Sequence, residues 1–185
     1  DVSSVTDTSG MFVATPFNGD LSKWDVSSVT SMSSMFEATT LFNNDISKWN
    51  VASVISMKSM FFEATAFNAD VSKWDVSSVT NMHRMFSWAT AFGGDVSQWN
   101  VSTVSNMDEM FVNAVSFNQR LCEACWVSSK ASKHEMFTVS PGSISQTVCS
   151  TTKIFSSKEE LKDAVKTCLQ AFPEGDCSND PHGPI

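Results

Sequence analysis

Four tryptophans, Trp24, Trp49, Trp74 and Trp99, stand 25 residues apart, and the residues around them return with them. Asp25-Val26-Ser27-Ser28-Val29-Thr30 comes back as Asn50-Val51-Ala52-Ser53-Val54-Ile55, then from Asp75 and again from Asn100. A Met-x-x-Met-Phe block follows each time (Met32/Met35/Phe36, Met57/Met60/Phe61, Met82/Met85/Phe86, Met107/Met110/Phe111), then a second Phe at 42, 67, 92 and 117. A short unit repeated at fixed period cannot bury its apolar side alone. Neighbouring copies must supply the other half of the core, so the period dictates stacking.

Within a copy, the Val-x-x-Val segment is β-branched and suits a short strand. The Met-x-x-Met-Phe block has i, i+3, i+4 spacing, which one helical or 3₁₀ turn would point inward. The expectation is therefore a solenoid of parallel coils, short parallel strands plus helical or 3₁₀ turns, over residues 1–120. The opening copy is one residue short, with Thr8 at the first Met position.

The run Phe42-Asn43-Asn44-Asp45-Ile46-Ser47-Lys48-Trp49-Asn50-Val51, followed by the Met-x-x-Met-Phe block, resembles the BspA-like branch of leucine-rich-repeat surface proteins, closest to algal and protist members. The resemblance covers about two-thirds of the chain. It implies a leucine-rich-repeat-like solenoid, an extracellular or cell-surface location and links to adhesion, and it carries over no catalytic residue. It also implies that residues 121–155 cap the solenoid, since Leu121-Cys122 followed by a lone Cys149 resembles the C-terminal cap of algal members, with a Cys122–Cys149 bridge.

The remaining segment, 156–185, reads as a helix and linker tail. Ser157 and Glu160 form a capping box. Leu161, Val165, Cys168 and Leu169 recur at helical spacing, and Phe172-Pro173-Glu174-Gly175 supplies the stop. Cys168 near the helix end and Cys177 in the next loop suit a second bridge, which leaves Cys125 unpaired or available between units. All five cysteines fall from Cys122 onward, the pattern of a core-poor segment stapled in an oxidising compartment.

Twenty acidic residues against 12 basic ones give a net charge of -8, which disfavours nucleic acid and anionic membranes as partners. The sequence has no apolar run of the roughly 20 residues needed to insert in a membrane. His83, His134 and His182 share no metal-ligand spacing, Cys122-x-x-Cys125 lacks a second Cys pair, and no cofactor motif is present. The Asp20/Asp45/Asp70/Asp95 column could stack carboxylates around calcium, but an Asp that hydrogen-bonds its own loop backbone needs no ion. Phe62 and Trp88 fall where other copies carry Glu37 and Val112 and are candidates for a contact patch. Asn100-Val101-Ser102 is a glycosylation sequon.

These features predict no enzyme, no cofactor and no bound metal. They point to an extracellular structural or adhesive repeat protein that self-associates as one unit of an end-to-end array or filament. Asp1-Val2-Ser3-Ser4-Val5-Thr6 begins just after the place where the repeat demands a Trp, and the tail His182-Gly183-Pro184-Ile185 resembles the linker that runs into the next repeat block in algal members. A module that binds a glycan or a protein on the solenoid face is the alternative.

Overall fold

The computed structural model describes residues 2–149. The chain divides into two compact units, Asp1–Gln146 and Thr147–Ile185. The helix expected after Ser157, and Cys168, Cys177 and His182, lie outside the described residues.

The first unit is built from turns. Val29 N–H donates to the Val26 carbonyl at 2.9 Å, and Val54, Val79 and Val104 repeat the bond to Val51, Val76 and Val101. The Val-x-x-Val segment is thus a β-turn that sends both valines inward. The aspartate or asparagine before it closes the turn: Asp25 Oδ1 accepts from Ser27 N–H at 3.1 Å, and Asn50 and Asn100 accept in the same way.

The Met-x-x-Met-Phe block is also a succession of turns, Met35 to Met32, Glu37 to Ser34 and Thr39 to Phe36. It cannot be helical, because two residues in each block hold positive φ. Gly10, Ser34, Ser59, Arg84, Glu109 and Glu135 form one such column, and Ala14, Ala38, Glu63, Trp88, Asn113 and Val139 the other. A left-handed residue breaks a right-handed helix and reverses the direction of the next peptide.

These observations correct the expected fold class. Among the described residues the strands are a parallel pair of two residues each, β1 (Arg120–Leu121) and β2 (Ser143–Ile144), and the helix is the four-residue α1 (Ala124–Val127). The leucine-rich-repeat-like solenoid of strands and helical turns is not what forms. Between copies the parallel ladder shrinks to single bridges, Asp7 to Ser31, Ser56, Asn81, Asn106 and Ser132 in turn.

Alternate peptides of the turn block carry the stacking. Met82, Arg84, Phe86 and Trp88 donate their N–H groups to the carbonyls of Asn106, Asp108, Met110 and Val112 in the next copy, at 2.7–3.0 Å. The same four bonds, with the same polarity, join Thr8–Ala14 to the second copy and Met107–Asn113 to the sixth. Every amide in this set faces later copies and every acceptor carbonyl faces earlier ones.

Inside, Phe12, Phe36, Phe61, Phe86, Phe111 and Phe137 stack in one column at 5.4–5.6 Å. Phe17, Phe42, Phe67, Phe92 and Phe117 form a second at 5.9–6.2 Å. The columns lie against each other, with Phe61 and Phe67 centroids 3.7 Å apart. The Met columns fill the remaining space and are fully buried from Met32 to Met110. Each buried indole donates to a carbonyl of the preceding copy: Trp49 to Leu21, Trp74 to Ile46 and Trp99 to Val71, all at 3.1 Å.

The stack runs on past residue 120, where the regular period fails. Trp126, on α1, sits 27 residues after Trp99 and donates to the Val96 carbonyl at 3.1 Å. Met136 and Phe137 continue their columns. Gly142 lies against the Phe117 ring, which any Cβ there would meet at 2.5 Å. The segment expected to cap the repeats therefore includes a sixth copy.

Candidate functional site

The outer surface of the first unit carries its side chains in columns, and each candidate residue belongs to one. Asp20, Asp45, Asp70 and Asp95 accept from the N–H of Ser22, Ser47, Ser72 and Ser97 at 2.8–2.9 Å. The serine hydroxyl and then its amide hold Asp20 and Asp45 below the usual carboxylate range, and for Asp70 the amide contributes most. These carboxylates are spent on their own loops. Among the described residues no group of three or more His, Cys, Asp or Glu side chains is placed to hold a metal ion.

The copies also bring together groups that the sequence scatters. Lys58, His83, Asp108 and His134 occupy one column, as the bonds of Ser59 to the His83 carbonyl, Arg84 to Asp108 and Glu109 to His134 show. Asp108 Oδ1 accepts from the Ser132 hydroxyl at 2.5 Å and from His134 N–H at 2.7 Å. The Ser132 hydroxyl, the His134 amide and the two flanking imidazoles keep its carboxyl low. His83 is half-buried, and its Nδ1 is buried without a hydrogen-bond partner among the described residues. One column over, Arg84 forms a two-pronged pair with Glu109, at 2.8 and 3.0 Å.

Phe62 and Trp88 do not share a position. The bonding register aligns Phe62 with Glu37, Ser87 and Val112, and aligns Trp88 with Ala38, Glu63 and Asn113. Phe62 is half-buried. Trp88 holds φ 62° and is 48% exposed, while its backbone N–H is paired to Val112. The contact patch proposed for the two thus reduces to Trp88. Asn100 is exposed, with its side-chain carbonyl accepting from the Ser102 hydroxyl at 2.7 Å.

Cys122 and Cys149 are both disulfide-bonded. Cys125 is a free thiol, half-buried against the core. At the first copy, Val2, Lys23, Trp24 and Asp25 line a groove of about 150 Å³, small beside the roughly 300–1,000 Å³ of a small-molecule site. No helix among the described residues is long and apolar enough to cross a membrane.

A family model described as Mycoplasma protein of unknown function, DUF285, matches residues 1–73 and 49–166. No curated protein and no solved structure matches the chain. The match corrects the resemblance to BspA-like leucine-rich-repeat proteins. The matched family carries no such description, and the fold lacks the strands and helical turns that one would imply.

Proposed function

Since the chain belongs to the DUF285 family, whose description assigns no activity, we propose that it is a structural or adhesive repeat protein that acts by self-association and surface presentation rather than by catalysis. The observation that carries the reading is the repeated inter-copy interface, four backbone bonds of one polarity over paired Phe columns, formed five times in succession. A module so committed to stacking on its own kind is suited to stack on another copy. The bonded Cys122 and Cys149 favour work in an oxidising compartment, such as the cell exterior.

Sedimentation velocity of the full chain, under non-reducing conditions and across a concentration series, tests this. Species that grow with concentration are expected, and a single monomer boundary throughout would remove the reading. A second reading, a glycan- or protein-binding module, is favoured by Trp88 alone, a large aromatic side chain that is 48% exposed. Under that reading Trp88→Ala abolishes ligand capture without changing the melting temperature.

A further inference from the structure

Asn100 is the one asparagine of the chain with a serine or threonine two residues on, Ser102, and Val101 separates them. It stands directly after Trp99, where the three preceding copies carry Asp25, Asn50 and Asp75 after their own tryptophans. All four side chains close the same turn: Asp25, Asn50, Asp75 and Asn100 accept from the amides of Ser27, Ala52, Ser77 and Ser102 at 3.0–3.2 Å. The turn explains an Asp or an Asn at this place in any copy. It uses only one end of the Asn100 carboxamide.

That end is Oδ1, which accepts from the Ser102 amide and, at 2.7 Å, from the Ser102 hydroxyl. Nδ2 donates to nothing among the described residues. Asn100 and Ser102 are exposed, and Val101 between them is buried. The side chain is thus anchored by its oxygen with its nitrogen uncommitted, and a group bonded to that nitrogen displaces no hydrogen bond of the fold. Its equivalents each lack one part. Asn50 is exposed in the same turn but has Ala52 in place of the hydroxyl, and Asp25 and Asp75 have the hydroxyl but no nitrogen.

We propose that Asn100 is an N-glycosylation site, carrying a covalently attached oligosaccharide. The inference rests on the cell-exterior part of the reading above, which the disulfide-bonded Cys122 and Cys149 favour. In the transfer, Nδ2 bonds to the anomeric carbon of an oligosaccharide carried on a polyprenyl diphosphate. The bond from that carbon to the diphosphate oxygen breaks, the polyprenyl diphosphate leaves with the electron pair, and one Nδ2 proton passes to solvent. An oligosaccharide at Asn100 bars the exposed Asp25–Asn50–Asp75–Asn100 column from close side-by-side packing, so copies of the chain associate through another face.

The test expresses the full chain through a eukaryotic secretory pathway behind a cleavable leader, and reads intact mass before and after digestion with a peptide N-glycosidase. Wild type should carry one N-glycan, placed at Asn100 by peptide mapping. Asn100→Gln and Ser102→Ala should be secreted without one. Ala52→Ser should carry two, because it gives Asn50 the missing hydroxyl in an equivalent exposed turn. Wild type secreted with Cys122 and Cys149 bonded but Asn100 bare overturns the proposal and leaves the exterior reading standing. Secretion with those cysteines reduced overturns the exterior reading and this proposal with it. A single glycan in Ala52→Ser overturns the argument that turn and hydroxyl together fit Asn100 for the sugar.

Discussion

The second to fifth copies and the two end copies are made from one pattern but meet different surroundings. In the interior Met32, Met57, Met82 and Met107 are fully buried, and the Phe rings are covered on both sides. At the first end the equivalent Met is Thr8, Phe12 and Phe17 are half-buried, and the Trp24 indole has no earlier carbonyl to reach within the described residues. At the other end the Met is Lys133, whose ammonium donates to the Ser129 and Ala131 carbonyls at 2.6 and 3.1 Å, and Gly142 lies against the Phe117 ring. The contrast teaches that the neighbours, rather than any single copy, supply the stability. Departures from the pattern fall in the first and sixth copies.

The largest expected effect sharpens this directly. Phe61 touches Phe36, Phe67, Trp74 and Phe86, so Phe61→Ala should lower stability by about 3–5 kcal/mol, as truncation of a buried aromatic does. Phe137→Ala, covered by a copy on one side only, should cost clearly less. Equal losses in urea unfolding would break the comparison.

The tryptophans offer a second contrast. Trp99→Phe keeps most of the ring but leaves the Val71 carbonyl without its buried donor, a loss of about 1–3 kcal/mol. Trp24→Phe removes no such bond, and its thermal midpoint should stay close to wild type.

How much of this was legible in the sequence depends on the residue. The columns were, because a 25-residue period places Phe61 on Phe36 whatever the local backbone does. The local backbone was not. Val26 and Val29 suit a strand by branching, yet they occupy the first and last positions of a turn; the available signal was Asp25 two residues before Ser27, a side chain that closes turns. The Met block carries helical spacing, but positive φ at Ser34 and Ala38 has no signature in those residue types. The sixth copy was hidden because Trp126 comes two residues late and Lys133 replaces a Met; Met136-Phe137 was the trace it left. The Phe62 and Trp88 columns were merged because Phe62 follows Phe61 directly. The Asp108–His83–His134 column was missed because it forms across three copies.

A smaller effect concerns the rim. Val139 is a β-branched residue at φ 63°, at the position Asn113 fills in the copy before. Val139→Asn should raise the melting temperature of the dilute protein by relieving about 1 kcal/mol of left-handed strain. A lower melting temperature would show that the Val side chain packs in a way its exposure does not suggest.

The smallest effect is acid loosening of the turns. Asp25 and Asp75 lie below the usual carboxylate range because the hydroxyl and then the amide of Ser27 and Ser77 donate to them. A folded pKa below the unfolded one stabilises fully above about pH 4 and is lost as pH falls through the folded value. The equivalent Asn50 and Asn100 do not titrate. Acid should therefore shift the Ser27 and Ser77 amide resonances and leave those of Ala52 and Ser102 in place. Equal shifts at all four would show that the turns do not depend on the carboxylates.

Residue-resolved amide hydrogen exchange, read against protein concentration, tests the central contrast most directly. The Glu109, Phe111 and Asn113 amides should be protected at every concentration, since each donates to the sixth copy. The equivalent Glu135, Phe137 and Val139 amides should exchange freely in dilute solution and gain protection as concentration rises. Protection of those three amides in the dilute monomer would contradict the account.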